Sequence, residues 1–266
     1  MGFDGEVVAL NVETGTPLWR KSLPRKYGHF YSGVTTDGQS LYLRSHSRTF
    51  ALNPGTGEVL WSQQSRGGSN HAYSTPVVGH GRVYVGTTVL DAATGENLHD
   101  GHSSEASSTV LADTLFISNT AWNARTMEQL WQVTVDGRSS AFCNGRIYTC
   151  SSQGRHWKAG GLRALDAATG DVLWTHGFRR GISWRHPYQY WDGLTSTSAP
   201  AVSGGQVVYV GADDGFLYAI DAKNGANLWE YDIASPVASS PAVSGNAVFV
   251  AALDGNVYAF VTTTDN

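Results

Sequence analysis

Cysteine, methionine and charge are all scarce in this sequence, and the shortages close off several classes of protein. Two cysteines, Cys143 and Cys150, stand in 266 residues. The segment 141–150 reads as a hairpin about Asn144-Gly145, a register that sets Cys143 opposite Arg146 and Cys150 opposite Ser139. The sulfurs are then about four positions apart along the ladder, ~13 Å at the rise of a strand. That is beyond disulfide reach, so both cysteines read as small apolar fillers. No apolar run approaches the ~20 residues a helix needs to cross a bilayer, and no transmembrane segment is expected. Charged residues make up 15% of the chain, against roughly 25% in soluble proteins generally. A net charge of −4 offers no general field for nucleic acid. The nine histidines lack metal-ligand spacing of the His-Glu-x-x-His kind. Ser196 and Ser198 sit in no Gly-x-Ser-x-Gly elbow. No Gly-rich loop opens a convincing helix that could cradle phosphate. Metal and nucleic-acid partners are therefore not expected.

Glycine, by contrast, is plentiful at 31 residues, well above the ~7% norm, as many short strands joined by tight turns require. The stretch 207–229, VVYVGADDGFLYAIDAKNGANLW, divides into strand, Asp-Asp-Gly turn, strand, a second turn on Asp221 and Asn224-Gly225, and a strand ending at Trp229. Glycine accepts positive φ there, and Asp bonds its own local backbone. The second turn and the tryptophan recur. The copies are residues 10–15 leading to Trp19, 52–57 to Trp61, 90–95 to His99, 122–127 to Trp131, 165–170 to Trp174 and 220–225 to Trp229. The third copy lacks the Trp, the fourth the Gly. Spacings between the Trp-equivalent positions are 42, 38, 32, 43 and 55 residues. Several short strands per repeat of roughly 40 residues indicate a β-propeller. Recurrence of Trp19, Trp61, Trp131, Trp174 and Trp229 is what inter-blade packing demands. His99 is expected to pack in the place of the missing Trp.

The phrase Leu-Asp-Ala-Ala-Thr-Gly-Asp-Val-Leu-Trp at 165–174 resembles the repeat of the PQQ-like propeller family, the tryptophan-docking repeat, over nearly the whole chain. The resemblance implies radial four-stranded blades with each Trp packing across to a neighbouring blade. It also implies a choice of roles, because the family holds quinoprotein dehydrogenases, BamB-type outer-membrane assembly lipoproteins and appended propellers, and a fold does not fix a function. Quinoprotein sites typically carry an adjacent Cys-Cys pair and a calcium held by Glu, Asn and Asp. Cys143 and Cys150 are seven apart and no positions match the calcium set, so no quinone (PQQ) cofactor is expected.

With strands lettered A to D from ring centre to rim, residues 5–20 supply a C and a D strand as an N-terminal partial blade. A–B hairpins are expected at 34–43, 76–85, 110–118, 139–150, 200–210 and 241–251. A C-terminal partial blade, 241–261, ends without a D strand. The expectation is one all-β domain over 1–266, a propeller of about six to seven four-stranded blades. It is either closed by its termini or a fragment of a seven- or eight-bladed parent. The start at Met1 reads as a turn inside a blade, so missing upstream sequence is expected.

In a propeller the B–C and D–A connections open on one face and the A–B and C–D turns on the other. Acids crowd the C–D turns, and many of the arginines and lysines fall on the connections, including Lys26, Arg44, Arg48 and Arg66. Two connections are unusually long. Residues 151–161 hold Arg155, His156 and Trp157. Residues 176–198 hold Arg179, Arg180, Trp184, Arg185, His186, Tyr188, Tyr190 and Trp191. Aromatics with arginine are the composition of binding hot spots, and long loops on rigid scaffolds carry function. Three readings stand side by side: a binding surface, a plug folded into the ring mouth, or a contact with a neighbouring domain.

The leading expectation is a non-catalytic scaffold binding a protein or a surface polymer through this loop face, extracytoplasmic or periplasmic as the BamB resemblance implies. One alternative is an accessory propeller severed from a larger enzyme such as a metallophosphoesterase or kinase. The other is a degenerate PQQ-dependent dehydrogenase.

Overall fold

The computed structural model describes residues 5–27, 32–64, 75–101, 108–117, 119–133, 137–151, 161–178, 198–212, 214–237 and 239–261. They form seven antiparallel sheets that follow one another along the chain, each of strands joined in simple up-and-down order. The first sheet has two strands, Glu6–Leu10 and Pro17–Ser22. Five four-stranded sheets follow. The second runs Thr35–Thr36, Leu41–Arg44, Arg48–Leu52 and Val59–Gln64, and the third Val77–Gly79, Arg82–Val85, Thr88–Asp91 and Asn97–His99. The fourth runs Ser108–Leu111, Thr114–Ile117, Thr120–Asn123 and Gln129–Gln132. The fifth comprises Gly137–Cys143, Arg146–Ser151, Gly161–Asp166 and Val172–Gly177, the sixth Ala201–Ser203, Val207–Gly211, Phe216–Asp221 and Asn227–Asp232. The seventh has three strands, Ala242–Ser244, Ala247–Ala251 and Val257–Val261. This all-β series of blades is the propeller fold the repeat predicts, and its six hairpins fall where the turn residues place them. Among the described residues one 3-10 turn, Arg25–Tyr27, is the sole helical element.

The chain groups into two compact units, Met1–Leu130 and Trp131–Asn266, with the boundary inside the outermost strand of the fourth sheet. In the first unit the A strands of the second, third and fourth sheets lie against one another. In the second unit those of the fifth, sixth and seventh do the same. Cores form between consecutive sheets. Tyr42 and Ala51 of the second sheet pack on Val83, Val85 and Leu90 of the third. Tyr148, Cys150, Leu162 and Ala164 of the fifth pack on Val208, Val210, Tyr218 and Ile220 of the sixth. Each large side chain so buried contributes about 1.5–3 kcal/mol, which is why the B and C strands, covered on both faces, read as near-continuous apolar runs. The cysteines stand where the hairpin register puts them, Cys143 opposite Arg146 and Cys150 opposite Ser139, and they form no disulfide with each other.

The C–D turns explain the recurring Asx-x-x-Thr-Gly phrase. Asp221 Oδ1 accepts the backbone N–H groups of Lys223 and Asn224 at 2.7 and 3.0 Å. Gly225, at φ 76°, donates its own N–H back to the Asp221 carbonyl at 2.9 Å. Asn53, Asp91, Asn123 and Asp166 accept the same two donors in their own copies. These bonds favour the ionised carboxylate: the Asp91 carboxyl is held below its usual range, first by the backbone N–H of Thr94.

Candidate functional site

Two sets of features could carry function: the seams between blades and the ends of the sheets from which the long connections leave. At the seams a tryptophan from the outer strand of one sheet lies on the C–D turn of the next. Trp61 Nε1 donates to the Ala92 carbonyl at 2.9 Å, and Trp174 Nε1 to the Ala222 carbonyl at 3.2 Å. Trp19 uses Pro54 and Trp131 uses Ala167 in the same way. The turn glycine is part of the contact. A Cβ built on Gly57, Gly95, Gly170 or Gly225 would stand 2.6–2.7 Å from the indole of Trp19, Trp61, Trp131 or Trp174. Glycine is therefore required twice over at these positions, by φ and by space. The turn carbonyl also receives the hydroxyl of a B-strand tyrosine whose ring is buried in the core. Tyr42 OH donates to the Ala92 carbonyl at 3.2 Å, and Tyr148 OH to that of Ala222 at the same distance.

The two degenerate copies fall on one seam. The glycine-bearing turn belongs to the sheet after the tryptophan, so the third sheet's missing Trp faces the fourth sheet's missing Gly. His99 does not pack as a substitute: it is exposed at the end of its strand. Met127 instead holds the left-handed turn position, φ 58°, and is buried with Tyr84, Leu115 and Ile117. The node carbonyl, Ala124, is taken by Tyr84 OH at 2.9 Å and by Arg82 at 3.1 Å. A buried thioether replaces the indole from the opposite side of the seam.

The eleven residues expected to bind, Arg155, His156, Trp157, Arg179, Arg180, Trp184, Arg185, His186, Tyr188, Tyr190 and Trp191, lie outside the described residues. Their anchors lie within them. Ser151 pairs with Gly161, and Gly161 pairs with Gly177, so the strands that feed both long connections meet side by side at one end of the fifth sheet. The 178–198 excursion is pinned at each foot to the sixth sheet. His176 Nδ1 donates to the Gly225 carbonyl at 3.1 Å, and its ring meets that of Tyr218 edge-on with centroids 5.9 Å apart. Phe178 lies 5.0 Å from the Tyr218 ring. At the other foot Ser198 exchanges hydrogen bonds with Gly211: Gly211 N–H donates to Ser198 Oγ at 2.8 Å and Ser198 N–H to the Gly211 carbonyl at 3.1 Å. Ser198 is therefore a clip rather than a nucleophile. Ser32 on Arg44 and Ser239 on Ala251 repeat it. Nothing in a single serine marks that role; its recurrence ahead of the A strands was the available signal.

Electrostatics at the turns is largely internal. Tyr42 OH donates to Asp37 at 2.9 Å; burial first, and then this carboxylate, push the phenol up to about 12. Asp254 is held below its usual range, first by the hydroxyl of Tyr258. Arg44 and Arg163 are buried, and desolvation lowers both guanidiniums from their usual value. Arg48 and Lys26 both lie over the Tyr27 ring, at 4.9 and 5.1 Å from its centroid.

Up-and-down blades with indole-on-glycine seams define a tryptophan-docking β-propeller. The family described as outer membrane protein assembly factor BamB matches residues 4–119 and 158–265, and the chain belongs to this PQQ-like propeller family. BamB of Moranella endobia is 23% identical over 97% of this chain and 81% of its own. A serine/threonine-protein kinase, AfsK of Streptomyces griseus, is 29% identical over 97% of this chain but only 33% of its own length. Quinoprotein ethanol dehydrogenase of Pseudomonas putida is 34% identical over 31% of this chain and 11% of its own. The chain thus matches about a tenth of that dehydrogenase and a third of the kinase. The crystal structure of BamB from Moraxella catarrhalis superposes with a TM-score of 0.70 at 15% identity, covering 98% of this chain and 80% of that one. Among the described residues no helix is long and apolar enough to cross a membrane.

Proposed function

We propose that this chain is a non-catalytic scaffold that binds a partner protein or surface polymer through the connections 152–160 and 179–197, outside the cytoplasm. The observation that carries the reading is the convergence of both connections on one end of the fifth sheet, with the second anchored at its two feet by His176, Phe178 and Ser198. Hydrogen-bonded anchors at both ends of a long connection lower the loop-closure entropy still to be lost on binding. The arginines and aromatics of these connections suit a desolvated contact. The name of the family, an outer membrane assembly factor, supports a protein partner at an envelope surface.

A second reading has its own support. AfsK matches over 97% of this chain with a third of its length, the relation expected of a propeller appended to a larger enzyme. The dehydrogenase reading would call for an adjacent Cys-Cys pair, and this chain's two cysteines instead stand opposite Arg146 and Ser139 in the fifth sheet.

The test is affinity capture from envelope and soluble fractions of the native host. Wild type is compared with a Trp184→Ala, Arg185→Ala, Tyr188→Ala triple variant after circular dichroism establishes that both are folded. A partner retained by wild type and lost at least about tenfold by the variant is expected, since interface hot spots cost ~2 kcal/mol or more each. Equal capture by both would remove the connections from the binding surface. Absence of any partner would favour the appended-domain reading.

A further inference from the structure

The chain contains two Asn-Gly pairs, Asn144-Gly145 and Asn224-Gly225, and the fold treats them oppositely. Both glycines stand at positive φ, 71° and 76°. At the second pair Gly225 N–H donates to the Asp221 carbonyl at 2.9 Å, and Asn224 Oδ1 accepts the Ala226 N–H at 2.9 Å. The Trp174 indole covers the glycine, 2.7 Å from where a Cβ would stand. Backbone nitrogen and side-chain amide are thus both engaged, in a turn packed beneath a ring. At the first pair none of this holds. Asn144 and Gly145 are both exposed at the tip of the fifth sheet's first hairpin. Among the described residues the Gly145 N–H meets no acceptor, the Asn144 carboxamide has no hydrogen-bond partner, and nothing lies within 4 Å of a Cβ placed on Gly145. The carboxamide leans on Gly205 of the next hairpin tip, which has no side chain to hold it.

We propose that Asn144 is a site of spontaneous deamidation, its side chain cyclising onto the backbone nitrogen of Gly145, while Asn224 is shielded by its seam. The Gly145 nitrogen gives up its proton to solvent base and attacks Asn144 Cγ. The N–Cγ bond forms as the Cγ–Nδ2 bond breaks, and Nδ2 takes up a proton and leaves as ammonia. Water then opens the succinimide at either carbonyl, giving aspartate or isoaspartate, with no oxidant or reductant required. A side chain on the following residue would crowd the closing ring, and glycine supplies none. The consequence falls on the seam between the fifth and sixth sheets. Arg146 Nη1 donates to the Ala222 and Lys223 carbonyls at 2.6 and 3.0 Å, pinning the sixth sheet's C–D turn to the fifth sheet. Aspartate adds a negative charge just ahead of that guanidinium, and isoaspartate adds a carbon to the main chain of the turn. This site lies apart from the long connections and does not rest on the reading of them.

The test compares the two pairs within one protein. Folded wild type and the urea-unfolded chain are incubated side by side in mildly alkaline buffer. Proteolytic peptides holding residues 144 and 224 are followed over time by mass spectrometry, with aspartyl and isoaspartyl forms separated by chromatography. In the unfolded chain both pairs are expected to react at similar rates, since nothing then distinguishes their surroundings. In the folded protein Asn144 is expected to keep most of that rate, and Asn224 to react at least about tenfold more slowly than Asn144, because it must wait for its seam to open. Four results would overturn the proposal: equal rates at the two pairs in the folded protein, faster reaction at Asn224, no product at Asn144 in the time the unfolded chain converts, or aspartate at position 144 without isoaspartate, which would mean direct hydrolysis rather than cyclisation.

Discussion

Replacing Gly225 by valine is expected to destabilise the second unit by about 3–4 kcal/mol, while the same change at Gly145 costs only about 1–2 kcal/mol. Both residues hold left-handed turns, at φ 76° and 71°. They differ in what a side chain would meet. At Gly145 nothing lies within 4 Å of a new Cβ, whereas at Gly225 the Trp174 indole stands 2.7 Å away. The backbone strain of a β-branched residue at positive φ is common to both, so the difference between them measures the seam. Urea unfolding of the two variants against wild type reads it. Equal losses would mean that the indole yields without cost and that the Trp–Gly contact does little to hold the blades.

The compensated seam between the third and fourth sheets makes the second large expectation. Met127→Gly alone is expected to cost about 2–3 kcal/mol: the buried thioether leaves a cavity, partly offset by relief of the left-handed strain. His99→Trp alone is expected to cost up to about 1 kcal/mol, because the indole finds Met127 where the other copies have glycine. Combining them restores the pairing seen at Trp61–Gly95 and brings stability back to within about 1 kcal/mol of wild type, a coupling of roughly 2 kcal/mol. Thermal or urea unfolding of the four proteins closes the cycle. Simple additivity would show that His99 and Met127 do not share a seam.

That pairing also marks the limit of what the sequence discloses. Turn chemistry places the hairpins, because Asp37-Gly38, Asn144-Gly145 and the Gly-, Ser- or Asp-bearing tips of the other four, with alternating Val, Tyr and Leu between them, leave little choice of strand ends. The register that separates Cys143 from Cys150 follows from the same tips. Aligning the copies, however, sets each Trp beside the Gly of its own repeat, while packing joins it to the Gly of the next. The losses at His99 and Met127 therefore read as two defects rather than one exchange. Tyr42 and Tyr148 look like core residues because burial of the ring is encoded in alternation, whereas the reach of the hydroxyl to a neighbouring sheet's carbonyl is not. A single serine clip such as Ser198 is not legible for a similar reason: a hydroxyl ahead of a strand has many possible acceptors, the fold selects one, and only recurrence ahead of successive A strands hints at it. The candidate binding connections were legible by length and composition, and the structure adds their anchorage on the fifth and sixth sheets.

The claim that matters most is that partners meet the end of the sheets from which the long connections leave. Site-specific photo-crosslinking tests it directly. Benzoylphenylalanine would be placed at Trp157 or Tyr188 in the connections and, separately, at Ala168 or Lys223, which are exposed in the C–D turns at the opposite end of the fifth and sixth sheets. The expected result is covalent adducts in native envelope extract from positions 157 and 188 and none from 168 and 223. Adducts from the turn positions alone would contradict the account and move the binding surface to the acidic end of the blades.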